Sequence, residues 1–559
     1  MSRALTLVAG WALLFLATPG GLFSDGSLCL AILGAGLVGS AMVRPLGPLG
    51  PLGPAGSKGT HARRVRLLEW GLGGLGATSV LWWVYFVAPP ALLFVVLILG
   101  IYQCLAGMLM RRLAQRLPIA LAVALGWWAA ESLRALPSPP LGLGWLQLGH
   151  HSSHHLWLAG SARVWGLEGL NLLVACLAGA FALVLVERRL SRVPLTLAAA
   201  ALLTAFSLAS LSSPGPMVPG PTALVVQPGL TQSQKSAGAF LQSMQEQSLA
   251  ALDANARAGG PRVDFVAWGE SMLPLLLAES RVAGALERGL NLPAWRRPLT
   301  STELAQWAAE EQTYLREPFL GRLPEGTHLL TGVEVYDVKG EGIERFVGTA
   351  LFGPEGRVGQ VAKKRNLVPG GETLCGFERF AWARELVESS IGYTPDFQPG
   401  SETGILQLAA QDGRDYRIAA MACFDNAFLE PALEALVAGP TDLFVVTSNE
   451  AWYHDACEMD QMLAFSRVLA LSTGRSLLRV TNSGVSALLG PDGRELGRLW
   501  VGERDRSVKG ELLVSIPVPQ QATQGVPPYA ALRPYLRLGM ALFLGALLWI
   551  CRPRSAAPA

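Results

Sequence analysis

The chain has 559 residues, 51% of them hydrophobic and 16% charged, with a mean hydropathy of +0.35; an average soluble domain is about 25% charged. Such apolarity excludes a disordered chain and a single soluble globule, and 45 Lys+Arg against 42 Asp+Glu is too even a balance for a nucleic-acid binder. Seven cysteines, with no CxxC or Cys/His zinc spacing, exclude a disulfide scaffold and a zinc module.

Seven long apolar stretches come first: Ala4–Phe23, Leu28–Val43, Leu67–Val87, Ala91–Met110, Leu117–Leu136, Trp165–Val186 and Pro194–Leu211. An eighth, Leu536–Cys551, closes the chain. Most approach the ~20 residues a helix needs to cross a bilayer, which predicts about eight transmembrane helices. The first is expected to be retained, since a second span follows it and no small-residue cleavage site is evident. With the N-terminus in the cytoplasm, the inner segments hold fourteen Lys and Arg, from Arg3 to Arg554, against Arg134, Arg163, Arg533 and Arg537 outside. The positive-inside bias therefore puts the region from about Ser212 to Pro534 on the outer, periplasmic face of a bacterial inner membrane. The predicted organisation is 1–211 as helices one to seven, 212–534 as an outer domain, and 535–559 as helix eight with a cytoplasmic tail.

Between the second and third stretches, Pro45–Gly59 is a Pro/Gly triplet repeat expected to be a cytoplasmic linker. Glu131 and Arg134, at i and i+3 in a membrane stretch, are expected to pair. His150, His151, His154 and His155 have helical spacing for a metal, but no carboxylate or thiol accompanies them. A solvated interfacial loop with no metal is expected there. The outer region alternates strands (Ala223–Gln227, Phe265–Glu270, Leu329–Tyr336, Phe346–Phe352, Arg417–Phe424, Leu443–Asn449, Leu477–Thr481) with helices (Ala239–Ala258, Ala427–Ala438, Met459–Ser472), as in one α/β domain. Asn291–Pro318, polar and bearing Trp and Glu, is expected to be an inserted helical excursion.

Three strand ends carry chemistry: Phe265-Val-Ala-Trp-Gly-Glu270, Gly359-Gln-Val-Ala-Lys363-Lys364, and Ile418-Ala-Ala-Met-Ala-Cys423. Groups just past strand carboxyl ends share a crevice in α/β sheets. A carboxylate, an ammonium and a thiol meeting there form a covalent acyl-transfer site: the carboxylate takes the thiol proton, the thiolate attacks a carbonyl, and the cation steadies the oxyanion. Each residue alone also has a plain structural reading, an inert buried cysteine or a solvated strand-end charge. Lys363 and Lys364 point to opposite faces of a strand, so one of them reaches the site, and spacing leaves open which.

Trp268-Gly-Glu270-Ser-Met-Leu-Pro274, Lys364-Arg-Asn-Leu-Val-Pro369-Gly-Gly-Glu372 and Cys423-Phe-Asp425, followed by Ser448-Asn-Glu-Ala-Trp452-Tyr and Leu478-Arg-Val-Thr-Asn482-Ser-Gly484-Val, resemble the Glu-Lys-Cys triad of the nitrilase superfamily. With the membrane stretches, Gly144-Trp-Leu-Gln147 and Gly166-Leu-Glu-Gly-Leu-Asn171, the sequence is similar to the apolipoprotein N-acyltransferase family over nearly its whole length. The resemblance implies an αββα nitrilase-like sandwich in the outer domain. It implies Glu270 as general base, Lys364 rather than Lys363 as oxyanion-stabilising cation, and Cys423 as nucleophile, with no cofactor and no metal. It gives supporting roles to Glu372, Asp425, Phe424 and Trp452. Where the family has Tyr-Glu after the nucleophile, this chain has Phe424-Asp425; Asn366 stands for a His, Gly370 for a Phe, and Ser236 for an aromatic.

The implied reaction is ping-pong. Cys423 takes an acyl chain from the sn-1 ester of a phospholipid, typically phosphatidylethanolamine, and passes it to the N-terminal amine of the diacylglyceryl-cysteine of an apolipoprotein. The implied partners are these two lipids and the bilayer, the protein acting as a monomer. Two other readings share parts of the pattern: a membrane-tethered carbon–nitrogen hydrolase of amidase or nitrilase type, and a catalytically silent membrane scaffold. Seven preceding apolar stretches exceed what a tether needs, and the intact Glu270, Lys364 and Cys423 argue against silence.

Overall fold

Away from water an apolar segment satisfies its backbone polar groups most simply as a helix, and every long apolar stretch of this chain contains one. The structure, a computed structural model, describes all residues except 1, 45–54, 88, 137–140, 213, 239, 274–275, 279, 294–297, 354–357, 392–394, 402, 522–525 and 551–559. It divides into two units, one of Met1–Tyr85, Pro89–Ser213 and Pro527–Ala559, the other of Phe86–Ala88 and Pro214–Val526.

The first unit is helical. Among the described residues, Pro89–Leu113, Ala162–Glu187, Arg192–Leu211 and Pro528–Leu547 are long and apolar enough to cross a membrane, and Arg3–Ala17 and Leu28–Met42 are shorter apolar helices. Four helices of spanning length thus stand where eight spans were expected. The triplet repeat over 45–54 lies outside the described residues, but 55–59, expected to be linker, already belong to the helix Ala55–Ser79. Pro54 is the last proline of the repeat, so every later residue there has an N–H to give to a helix. The closing helix starts at Pro528, a full two turns before the apolar run at Leu536.

Glu131 and Arg134 pair as expected, at 3.2 Å and both buried. Their remaining capacity pins the following loop: Arg134 donates to the carbonyls of Leu143, Trp145 and Leu146, and Glu131 Oε2 accepts from the Leu148 N–H. The expectation of a solvated histidine loop is corrected here. His150 and His151 are buried, His150 Nδ1 accepting from the Gln147 N–H and His151 Nδ1 lying 3.2 Å from the Leu148 carbonyl. The two imidazoles lie in a short 3₁₀ turn, and the Nδ1 of each meets local backbone instead of water. No cluster able to hold a metal is found among the described residues.

Among the described residues the second unit has thirteen strands: β1 Met217–Gln227, β2 Phe265–Ala267, β3 Leu276–Ala278, β4 His328–Lys339, β5 Gly342–Phe352, β6 Val358–Lys363, β7 Ile405–Ala409, β8 Asp415–Ala422, β9 Leu443–Ser448, β10 Ser476–Thr481, β11 Ala487–Leu489, β12 Glu495–Arg498 and β13 Gly510–Pro519. One mixed sheet has the order β13-β1-β2-β4-β5-β6, with β3 pairing β4; the other runs β12-β11-β10-β9-β8-β7. Strand alternation splits the side chains between two cores. Ala223 and Val225 of β1, Phe265 and Ala267 of β2, and Leu330 of β4 face Ile418 and Ala420 of β8, Val445 of β9 and Val480 of β10 across the two sheets. Leu224, Val226 and Val266 point the other way, onto Met244, Leu249 and Leu252 of the helix Leu241–Arg257. Helices Glu430–Ala438 and Glu458–Thr473 pack against the second sheet, which completes an αββα sandwich. The stretch 291–318 contains the expected helix, Ser301–Arg316, started by a Thr300–Glu303 capping box.

Candidate active site

Glu270, Lys364 and Cys423 follow the carboxyl ends of β2, β6 and β8, where backbone pairing gives way to side-chain chemistry. On β6, Ala362 faces the inter-sheet core while Val361 packs on the opposite face. Alternation then carries Lys364 inward and Lys363 outward. The Lys364 side chain is fully buried, its Nζ donating to Glu270 Oε1 at 3.1 Å and to Glu372 Oε1 at 2.7 Å. Lys363 instead pairs with Asp337 at 2.8 Å and lies over the Phe346 ring. Asp337 also receives Arg281, so the Lys363 pair is replaceable and worth about 0–1 kcal/mol. Lys363→Ala is expected to leave acyl-enzyme formation within about twofold of the natural protein, by intact-mass kinetics; a loss larger than that of Lys364→Ala would reverse the assignment of the two lysines.

Glu270 is held at both ends. Its Oε2 accepts from the Asn449 N–H at 3.2 Å, and its backbone carbonyl accepts from Lys235 Nζ at 2.7 Å. Gly332 of β4 makes room for this turn: a Cβ there would lie 2.4 Å from the Glu270 Cα. Glu372, eight residues after Lys364, has its second oxygen fixed by the Val368 N–H at 2.8 Å.

Cys423 follows β8 in the left-handed region, φ 45°, and is buried. A non-glycine residue pays strain there, and such positions cluster at functional sites. This turn is why the strand expected to reach Phe424 stops at Ala422. Burial, then Glu270, push the Cys423 thiol well above its ordinary value, with Lys364 opposing. Burial works against the Lys364 ammonium, but Glu270 and then Glu372 outweigh it and hold that group well above its ordinary value. The resting site therefore holds a neutral thiol beside a fixed cation, and nucleophilicity requires a base to take the thiol proton.

Asp425 is buried, and its carboxylate accepts from the N–H groups of Asn366 at 2.7 Å, Arg365 at 3.2 Å and Ala422 at 3.3 Å, and from Asn366 Nδ2 at 2.9 Å. It ties the backbone after Lys364 to the turn that carries Cys423. Two of the positions where this chain departs from the family pattern, Asn366 and Asp425, are thus hydrogen-bonded to one another, a shorter acid meeting a shorter partner. Phe424 packs edge-on to Phe428, with ring centroids 5.0 Å apart, as a core residue would. Trp452 is partly exposed in the 3₁₀ turn Glu450–Tyr453. Tyr453 beside it is buried; burial and then Glu458 and Cys423 push its hydroxyl well above its ordinary value.

Sequence reasoning missed Lys235 and the frame behind the site. Half-buried Lys235 is lowered to about 8 by burial, with Glu270 opposing. Asn482 holds the segment leading to it, donating to the Leu230 carbonyl and to Asn449 Oδ1, while Asn449 Nδ2 donates to Gln232. The signal was present in the residue types, an amine and two amides beside quoted motifs, but their meeting spans about 250 residues. The Lys235 ammonium is lost as pH rises through about 8. Acyl-enzyme formation is accordingly expected to fall on an alkaline limb near that pH, and Lys235→Met to slow the neutral rate about tenfold and abolish the limb; an unchanged limb would exclude Lys235 from the site's chemistry.

Glu450 and Arg479 form a fully buried ion pair under the same loop. A Cβ on Gly484 would sit 1.8 Å from Glu450 Oε2. Gly484→Ala is therefore expected to break the pair and cost about 3 kcal/mol or more, read as a lowered unfolding temperature in detergent.

The described cysteines, Cys375 and Cys457 included, are all unbridged. A buried Cys-Lys-Glu cluster at the strand ends of an αββα sandwich, in a chain that also carries apolar helices of membrane-spanning length, is an arrangement able to carry thiol-based acyl transfer. Residues 29–180 match the N-terminal domain of apolipoprotein N-acyltransferase. The chain is 28% identical over 454 residues to the apolipoprotein N-acyltransferase of Azotobacter vinelandii, covering 80% of this chain and 77% of that protein. It is 26% identical over 480 residues to the one from Brucella suis, covering 82% and 81%. Among solved structures, an amidase from Nesterenkonia sp. is similar at 14% identity and a TM-score of 0.32, over 54% of this chain and 93% of that one. The chain is thus similar to apolipoprotein N-acyltransferases over most of its length, and it is an acyltransferase.

Proposed function

We propose that this protein moves an acyl chain from a phospholipid onto the N-terminal amine of the diacylglyceryl-cysteine of an apolipoprotein, by way of a thioester on Cys423. The observation that carries this reading is the Lys364 ammonium held between Glu270 and Glu372, in electrostatic range of the strained, buried Cys423. Glu270 takes the thiol proton as the sulfur attacks the ester carbonyl, and the Lys364 cation steadies the oxyanion. The tetrahedral intermediate collapses by expelling the lysophospholipid alkoxide, which takes the proton back from Glu270. The lipoprotein amine then attacks the thioester, Glu270 accepts its proton, and the amide leaves with the thiol restored. Glu372 and Asp425 fix the lysine and its following backbone, and burial keeps water from the thioester. Acyl chains on both substrates fit a chain with membrane-spanning helices. The asymmetry of Lys and Arg supports eight crossings in a bacterial inner membrane, with the catalytic domain on the periplasmic face.

The test is single-turnover chemistry. Full-length protein in detergent is mixed with acyl-labelled phosphatidylethanolamine, with and without a diacylated lipopeptide, and the Cys423 peptide is weighed. An adduct that persists alone and clears on adding lipopeptide, with label appearing on its amine, is the expected result. Rapid release of free fatty acid without lipopeptide would replace the transferase with a hydrolase, and absence of any adduct would remove the covalent mechanism.

A further inference from the structure

We propose that the helical unit binds a small cluster of water molecules in a cavity between the helices Arg3–Ala17 and Pro89–Leu113 and the turn Leu148–Ser152, and that this water is a bond joining the three segments. The cavity encloses about 60 Å³. That is several times the ~10–15 Å³ one water needs and well short of the ~300 Å³ at which pockets for larger ligands begin.

Three polar atoms on its wall carry the inference. Among the described residues, none hydrogen-bonds Trp11 Nε1, Gln103 Oε1 or His151 Nε2. All three side chains line this one cavity, and none is more than 8% exposed. A buried polar atom costs free energy unless something bonds it. Close backbone approach keeps two of them in place. On the helix Ala55–Ser79, a Cβ at Gly76 would lie 2.2 Å from Trp11 Cγ, and one at Gly73 would lie 2.6 Å from Gln103 Cβ. These glycines, at i and i+3, share a helix face, so one face seats both polar side chains. His151 is held from its other nitrogen, with Nδ1 3.2 Å from the Leu148 carbonyl. A carbonyl only accepts, so Nδ1 carries the proton and the neutral ring presents Nε2 as an acceptor. Burial lowers this imidazole to about 4, which keeps it neutral.

The wall therefore offers one donor, the Trp11 N–H, and two acceptors, Gln103 Oε1 and His151 Nε2. An apolar occupant would bond none of them. An anion would face two lone pairs, and a cation would face the indole N–H and the Arg134 guanidinium. Glu131 and Arg134, also in the lining, cancel in charge and are already bonded to each other and to the backbone that follows them. A neutral molecule that both donates and accepts, and that fits so small a space, is water. The inference does not depend on the proposed role of Cys423, because hydration is read without turnover.

In the experiment, full-length protein in detergent receives a millisecond X-ray pulse, which splits bound water into hydroxyl radicals that oxidise the side chains it touches, and the products are read by mass spectrometry. Trp268 is the reference, buried in an apolar core with its indole N–H donating to Ser248. Trp11 and His151 are expected to be oxidised at least about tenfold faster than Trp268, as a wet site is against a dry one. Gln103→Met keeps the side-chain length and removes the amide. It is expected to slow oxidation of Trp11 and His151 at least about threefold, to leave that of exposed Trp157 unchanged, and to lower the unfolding temperature. Rates no faster than that of Trp268 would show the cavity to be dry and overturn the site. Undiminished oxidation in a folded Gln103→Met would trace the radicals to bulk solvent, and a raised unfolding temperature would show that the amide had been left unbonded; either overturns the proposal. Should the variant fail to fold, the comparison with Trp268 in the natural protein still decides.

Discussion

Cys423→Ser is expected to leave no thioacyl adduct and to lower transfer by about 10⁴-fold or more, the scale of losing a nucleophile. A serine hydroxyl is far harder to ionise than a thiol, and this site supplies burial and carboxylates, both of which disfavour an anion at the nucleophile. Folding is expected to survive, because the change swaps one small side chain for another inside the same turn. The strain at φ 45° belongs to the backbone and remains. The measurement is intact mass after incubation with acyl-labelled phospholipid, alongside transfer to lipopeptide. A labelled Cys375 or Cys457 in the variant, with transfer intact, would move the nucleophile away from residue 423.

Lys364→Met is expected to lower acyl-enzyme formation by about 10²–10³-fold and global stability by about 3–5 kcal/mol. The substitution preserves the aliphatic length but leaves Glu270 and Glu372 facing each other in a buried site with no cation between them. At least one would then hold a proton, and a protonated Glu270 is no longer a base. Lys364→Arg keeps the charge but places a planar fork where a point charge sits between two oxygens, so it is expected to restore stability more than rate. The pH dependence follows from the raised value of the folded lysine. Its contribution to stability is present throughout the range below the unfolded value and is lost only as pH rises through the higher folded one. The natural protein should therefore lose this term only at strongly alkaline pH, while the methionine variant lacks it throughout. An unfolding temperature for Lys364→Met equal to that of the natural protein at neutral pH would show that the lysine is not the bond between these carboxylates.

Several features were legible in the residues before any fold was known. Apolar runs located the helices, since burying a helix away from water needs little beyond length and hydropathy. Short runs of Ala, Leu and Val such as Ala223–Gln227 located strands, because their side chains must meet a core. The Glu-Lys-Cys order and the types of its neighbours pointed to thiol acyl transfer. The short strands β3, β11 and β12 gave no periodic signal, having three or four residues each. The triplet repeat obscured where the helix ending at Ser79 begins, and a string of four histidines looked wet because imidazole is usually solvated.

What the sequence alone determined was therefore local: helices, most strands, and the types of polar residue that follow the strand ends. The choice between Lys363 and Lys364, left open by spacing, was decided in space by the last residues of β6, whose alternation turns one ammonium toward Asp337 and the other toward two carboxylates. The Lys235 contact with Glu270, the Asn366–Asp425 pairing and the Glu450–Arg479 pair likewise exist only in the folded chain. Local periodicity reports which face a residue takes, whereas an electrostatic site depends on distances between segments far apart in sequence, and these are fixed only when the two sheets close on their shared core.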